Sequence, residues 1–149
     1  MSDTRYRRNA GSVFSLKYHL VWCRKYRRKV LMGEIADDLC SLLYQKAQEL
    51  GVTIEALEIM PDHVHLFCAP AGWETGTVKD WCKFWKRSAG NLLPALQSQF
   101  EWDCWDTQMR SVGHYCRKLS YVALNPVRKG LVAKTEDWPY QGRLNPLWW

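Results

Sequence analysis

Two histidines stand two positions apart in the apolar run Met60-Pro61-Asp62-His63-Val64-His65-Leu66-Phe67. Side chains at i and i+2 of a β-strand share a face, roughly 7 Å apart at Cα. Both imidazoles can therefore converge on one metal ion, while Val64, Leu66 and Cys68 point the other way, toward a core. A strand with two incidental, hydrogen-bonded histidines has the same spacing, so His-x-His alone does not decide the matter.

Nearer the other end, Tyr121 and Asn125 lie four apart in a helical stretch and so share a face. A helix packed across the strand of His63 and His65 would add an amide oxygen able to complete a metal site, and a phenol beside it. That set suits phosphoryl transfer. A divalent ion polarises the phosphate, and a tyrosine oxygen attacks it in line and becomes joined to phosphorus. A phenol, ordinarily of pKa about 10, needs cations or a base to help it lose its proton at pH 7. Arg117 and Lys118, one turn before Tyr121, are candidates for that help. The plain alternative is a buried tyrosine followed by an asparagine that ends the helix before Pro126. Tyr115 is a second phenol nearby, but it does not stand four residues before Asn125.

Positioning these groups takes a scaffold, and the apolar pattern predicts one. Alternation over residues 13–23 predicts a strand with one buried face: Phe14, Leu16, Tyr18, Leu20 and Trp22 on it, Ser15, Lys17 and His19 opposite. The run Arg24-Lys25-Tyr26-Arg27-Arg28-Lys29 follows as a basic loop. Gly33 opens a helix with Ile35, Leu39, Leu42, Leu43 and Leu50 at helical spacing, and Gly51 stops it. Residues 52–60 and 63–69 read as strands joined by Pro61-Asp62, close enough to be antiparallel neighbours. Thr77 caps the next helix, with Asp80 in its first turn. Trp81 and Trp85 share a face of that helix, which reads as core rather than as a base-stacking platform. Residues 102–108 form a fourth strand, and 114–124 a helix stopped by Asn125-Pro126. The tail from about Leu131 is assigned no regular element. The order is strand, helix, strand, strand, helix, strand, helix. It gives a single α+β domain over 1–149: a ferredoxin-like split β-α-β antiparallel sheet with helices on one face, plus a C-terminal helix carrying the tyrosine.

Charge narrows the function. The net charge of +6 is unevenly placed: residues 1–30 hold nine of the 21 lysines and arginines and one acid, Asp3. Concentrated positive charge with interleaved aromatics is the footprint of a nucleic-acid binder, set against the ordinary alternative of a solvated basic loop. Arg24, Lys25, Arg27, Arg28 and Lys29 are the expected phosphate contacts, and Lys83, Lys86 and Arg87 a second group. No apolar run approaches the ~20 residues that span a bilayer, and no apolar leader is visible, which points to the cytoplasm and away from membranes. The six cysteines include no C-x-x-C pair and read as mostly buried reduced thiols, with weak support for a structural zinc site.

Three blocks, FSLKYHLVWCRKYRRKVL, MPDHVHLF and YVALNPVRKGL in that order, resemble the single-tyrosine HUH transposases of bacterial insertion sequences. HUH denotes His, hydrophobe, His. The Tyr-x-x-x-Asn-Pro-Val-Arg-x-Gly-Leu ending and the Trp-Pro tail resemble most the REP-associated tyrosine transposases, and the likeness runs from about Phe14 to Trp138. The resemblance implies that His63 and His65 bind a divalent metal, Mg²⁺ or Mn²⁺, and that Tyr121 is the nucleophile. Asn125 stands where insertion-sequence members more often carry glutamine as third ligand, and the asparagine is usual in the REP-associated branch. The implied partner is a single-stranded DNA hairpin, cut to leave a 5′-phosphotyrosine and a free 3′-hydroxyl, and rejoined without ATP. The implied assembly is a monomer, or a homodimer exchanging the tyrosine helix. Two other functions remain open on the residues: a hairpin DNA- or RNA-binding regulator without cleavage, and a metal-dependent hydrolase that uses water.

Overall fold

The computed structural model describes residues 6–9, 12–15, 17–70, 77–96, 100, 104–109 and 111–143. They form β1 (Tyr6–Asn9), β2 (Ser12–Ser15), β3 (Lys17–Cys23), α1 (Glu34–Leu50), β4 (Val52–Met60), β5 (His63–Pro70), α2 (Val78–Leu92), β6 (Trp105–Met109), α3 (Val112–Ala123), α4 (Asn125–Arg128) and β7 (Gln141–Arg143). β1 and β2 pair with each other, and the other strands form an antiparallel sheet in the order β6-β3-β5-β4-β7. Its first four strands have the expected ferredoxin-like arrangement, with β5 at the centre.

The central position of β5 follows from its connections. Pro61 and Asp62 alone separate it from β4, so Met60 falls opposite His63 and the register runs from there. On its other side β3 pairs Cys23 with His63 and Val21 with His65. Val64, Leu66 and Cys68 are fully buried in one cluster with Leu20, Trp22, Leu39, Leu43, Trp81 and Trp85, which puts α1 and α2 on that face. Gly51 ends α1 with a left-handed φ of 70°. Thr77 and Asp80 close a capping box at the start of α2. Both tryptophans of α2 are core residues, and the Trp85 indole donates to the Leu43 carbonyl.

The opposite face of the sheet is covered by α3, whose Tyr115, Leu119 and Val122 pack on Ala56, Phe67 and Met109. β3 was expected to bury one face, yet Lys17 is 1% and His19 7% exposed on the other. The reason is this second layer, together with β6 as outer neighbour of β3. Lys17 is held there by Glu55 at 2.6 Å, and the Tyr115 hydroxyl donates to the second oxygen of the same carboxylate at 3.1 Å. Glu55 is the extra residue of a β-bulge, since Ile54 pairs with Cys68 and Ala56 with Phe67. The bulge inverts the alternation: Val52 and Ile54 face α1 and α2 before it, Leu57 and Ile59 after it. Ala56 and Glu58 are thereby turned toward α3.

Other expectations are refined. α3 ends at Ala123, just before Asn125-Pro126 as expected, but a further helical turn, α4, follows at once. Leu124 stays right-handed, Pro126 sits in the first turn of α4 where its missing N–H costs nothing, and Gly130 ends the turn with φ 72°. The start of α3 lies at Val112 rather than at residue 114, because Ser111 caps it by accepting from the His114 amide. The tail has a strand after all. β7 pairs with β4, the Trp138 indole donates to the Ile59 carbonyl at 3.0 Å, and the Tyr140 hydroxyl accepts from the Gly33 amide at 2.8 Å. β4 would otherwise present an open edge. Residues 13–23 divide into β2 and β3, and the expected strand at 102–108 is placed at Trp105–Met109, residues 102 and 103 lying outside those described. Leu16 and the side chains of Phe14 and Ser15 also lie outside them. Cys23, Cys68 and Cys82 are buried, Cys40 and Cys104 half-buried and Cys116 exposed.

Two stability measurements follow from the polar layer under α3. Glu55→Ala takes the carboxylate from between Lys17 and Tyr115 in a buried site, and should cost about 3–5 kcal/mol in urea unfolding. A loss below about 1 kcal/mol would show that the bulge carboxylate is not holding the layer. Glu58 is 3% exposed, no described residue hydrogen-bonds to either of its oxygens, and burial pushes its carboxyl from 4.5 to about 8 against the opposing pull of Arg128. Folded Glu58 thus keeps its proton where the unfolded chain has released it. Its burial adds no ionisation penalty below pH about 4.5 and a growing one from there to pH about 8. Glu58→Gln, unfolded in urea with chelator present, should lose less stability than the parent over that range. Equal pH slopes would contradict a buried, unpaired Glu58.

Candidate active site

The register of β5 delivers His63, His65 and Phe67 to the face that α3 covers, and α4 continues α3 over the start of the strand. His63 and His65 are 7% and 9% exposed, and their Nε2 atoms approach to 3.0 Å. The side-chain amide of Asn125 lies 3.4 Å from His63 Nε2. Each ring is held from behind. Asp62 Oδ1 accepts from His63 Nδ1 at 2.6 Å, and His19 Nε2 meets His65 Nδ1 at 2.9 Å. Two ring nitrogens and one amide therefore converge on one point, while the far nitrogens are tied to the scaffold. Among the described residues no three His, Cys, Asp or Glu side chains gather as a metal site. Here the third group is an amide.

Burial and neighbouring charge disfavour the protonated forms of His65 and His19. Burial, first, holds His65 well below the ordinary histidine range, and electrostatic repulsion from His63, His19, Lys118 and Arg128 adds to it. Burial and then Lys118 lower His19 to about 4. Neutral rings retain the lone pairs that a metal needs.

Tyr121, expected on the face of Asn125, is 64% exposed at the surface of α3. The Arg128 guanidinium lies over its ring at 3.9 Å and donates to Asn125 Oδ1 at 3.4 Å, so one cation joins the phenol to the amide. Arg128 was missed in the sequence. It stands seven residues after Tyr121, two helical turns on, and that spacing was the available signal. Lys118 is half-buried with its charge felt at His19 and His65, whereas exposed Arg117 turns its guanidinium back toward Gly113. Tyr115 is fully buried on Glu55, which removes the second phenol from the surface.

The basic segment after β3 is a short 3₁₀ turn, Lys25–Arg27, pinned to the site. The Arg24 amide donates to the Asp62 carbonyl and the Leu31 amide to the Pro61 carbonyl, both at 2.9 Å. Lys25, Arg28 and Lys29 are exposed, and Tyr26, with a left-handed φ of 58°, is 83% exposed among them. Arg24 departs from expectation. Its side chain is 2% exposed with the guanidinium over the Phe100 ring, because it prolongs β3 in a bridge with Phe100. The Arg27 side chain lies outside those described. Lys83, Lys86 and Arg87 sit on α2, across the sheet from the histidines, so the structure does not bring them to the same face.

Among known proteins, the IS200-like transposase family matches residues 12–87. The ISDra2 transposase TnpA of Deinococcus radiodurans is 34% identical over 99 residues, covering 66% of this chain and 69% of that one. The REP-associated tyrosine transposase of Escherichia coli is 26% identical over 117 residues, 76% of this chain and 68% of that one. A solved REP-associated tyrosine transposase bound to a REP hairpin superposes with a TM-score of 0.75 at 20% identity, over 95% of this chain and 82% of that one, a likeness of fold. No helix among the described residues is long and apolar enough to cross a membrane. The family match spans the strand of His63 and His65, and the chain belongs to the IS200-like transposases: it is an HUH DNA transposase, most like the REP-associated branch.

Proposed function

We propose that this transposase is a metal-dependent single-stranded DNA endonuclease and strand-transferase that acts at hairpin-forming repeats through a 5′-phosphotyrosine. The observation that carries the reading is the convergence of His63 Nε2, His65 Nε2 and the Asn125 amide, one helical turn past an exposed Tyr121.

The donor set fits a divalent ion. Two nitrogens 3.0 Å apart suit two bonds of about 2.0–2.1 Å to one small cation. Asn125 faces His63 through Nδ2, and a half-turn of the amide presents Oδ1 instead, giving up its hydrogen bond from Arg128. Nitrogen and oxygen donors together suit Mg²⁺, Mn²⁺ or a later transition metal. Bound there, the ion would polarise the scissile phosphate and offset charge on its oxygens. Tyr121 supplies the nucleophile. Its phenol releases its proton as the oxygen forms a bond to phosphorus, the bond to the 3′-oxygen breaks, and that oxygen takes up a proton and leaves as a hydroxyl. A new 3′-hydroxyl attacking the phosphotyrosine reverses the step and releases Tyr121. Arg128, stacked on the phenol ring, faces the phosphate with positive charge.

The partner reading rests on charge and on the relative solved with a REP hairpin. Lys25, Arg28 and Lys29, on a turn tied to Pro61 and Asp62, offer cations beside the first metal ligand. The metal, the phosphotyrosine and the hairpin all stand or fall in one assay, incubation of labelled single-stranded hairpin DNA with Mn²⁺ on denaturing gels. The parent should cut, and Tyr121→Phe should bind the hairpin but release no cut strand. Tyr115→Phe should still cut, after allowance for lost stability. Cutting by Tyr121→Phe would remove the nucleophile assignment, and binding without cutting by the parent would favour the regulator. In EDTA the parent should lose cleavage and keep hairpin binding, with His63→Ala behaving the same way in Mn²⁺. Full cleavage in EDTA would overturn the metal requirement.

A further inference from the structure

We propose that His19 is a positioning residue for the metal ligand His65: its Nε2 accepts the Nδ1 hydrogen of His65 and so leaves the Nε2 lone pair of His65 directed at the ion. The inference rests on the metal site argued above and goes beyond it, to a residue outside the His-x-His motif.

His19 is on β3 and His65 on β5, two positions off the direct pairing of His19 with Phe67. Such diagonal neighbours on one face are within reach of ring side chains. The two imidazoles lie nearly parallel, 13° apart in plane with centroids 5.1 Å apart, and their nitrogens are 2.9 Å apart. His19 is also stacked on Phe67, with centroids 4.5 Å apart. Packing alone would be served as well by a phenylalanine at this position. An imidazole 7% exposed must instead place its nitrogens, and one of them is placed on His65.

A ligand imidazole binds metal through one nitrogen only if the proton sits on the other. His63 meets that requirement through Asp62, at 2.6 Å from its Nδ1. His65 has no carboxylate in the corresponding place; it has His19. The two ligands thus present the same nitrogen, Nε2, because each has an outer partner on Nδ1. For His65 this works only when His19 carries its own proton on Nδ1 and offers Nε2 as acceptor. Without metal the hydrogen bond between the two ligand Nε2 atoms needs a proton on one of them. Metal binding therefore fixes the direction of the hydrogen bond from His65 to His19.

The test compares three proteins by Mn²⁺ calorimetry, hairpin binding and thermal unfolding: the parent, His19→Phe and His19→Gln. His19→Phe keeps a stacked ring but offers no acceptor, and should weaken Mn²⁺ binding ~10–100-fold while leaving hairpin binding unchanged. His19→Gln restores an acceptor and should recover most of that loss. Equal Mn²⁺ affinity in His19→Phe and the parent overturns the proposal, as does an equal loss in both variants, which marks a packing role. Should His19→Phe fail to fold, ¹⁵N imidazole signals of the Zn²⁺-loaded parent decide: a proton on His19 Nδ1 and a bare Nε2 are expected, and a protonated Nε2 overturns it. Absence of Mn²⁺ binding by the parent, or Mn²⁺ binding untouched by His63→Ala, would instead remove the metal site itself and the proposal with it.

Discussion

One constraint governs the molecule: the register of β5 between β3 and β4. Side chains alternate across a strand, so a slip of one residue would send His63 and His65 into the apolar layer of α1 and α2 and bring Val64 and Leu66 to the site. The slip is opposed from both sides. The Pro61-Asp62 turn ties Met60 to His63 within two residues, and Val64, Leu66 and Cys68 fill space between α1, α2 and the sheet. Each buried aliphatic side chain of this kind contributes ~1.5–3 kcal/mol of transfer free energy, so the core holds the strand of His63 and His65 in register. Stability and function use opposite faces of the same eight residues.

The face under α3 is of a different character. It carries Lys17, Glu55, Glu58, His19, His63 and His65, all buried. A sheet designed for stability alone would place apolar groups there, since each buried polar group costs free energy unless it is hydrogen-bonded. Most of these are satisfied in chains: Lys17 with Glu55 and Tyr115, and Asp62 with His63, His65 and His19. Glu58 is the exception, and it borders a cavity of about 150 Å³ with Phe67, Leu119, Val122 and Gln141. A polar, incompletely satisfied layer beneath the helix that carries Tyr121 is where local rules should fail if the site matters more than the fold. The β-bulge at Glu55 is part of the same arrangement, because it turns Glu58 to this side and supplies the carboxylate that holds Lys17 and Tyr115.

Much of this was legible in the chain because it depends on local period and local chemistry. The alternation around His63, the spacing of Leu39, Leu42 and Leu43, the Thr77-Asp80 box and Gly51 each have one short-range reading, and the structure bears them out. The adjacent apolar pair Ala56-Leu57 marked the bulge by breaking the alternation, but a pair of apolar residues in a buried strand has other readings. Long-range choices were not legible. Nothing local says that Gln141–Arg143 will close the edge of β4, that Arg24 will be covered near Phe100, or that His19 will meet His65 across two strands. The helix break before Asn125-Pro126 was legible, but the short helix that follows it was not, since proline stops a helix in its interior yet is tolerated in the first turn of the next one.

In the proposed function Tyr121 supplies the oxygen of a covalent link to DNA, and Arg128 joins its ring to the Asn125 amide beside His63. The most direct measurement is the identity of the modified peptide after the protein has cut hairpin DNA and been denatured. Trypsin cleaves after Arg110, Arg117, Lys118 and Arg128, so Tyr115 and Tyr121 fall on separate peptides, 111–117 and 119–128. Mass spectrometry should find the nucleotide adduct on 119–128, at Tyr121. An adduct on 111–117, or complete cutting with no adduct on either, would contradict it; the second result would assign the chemistry to water.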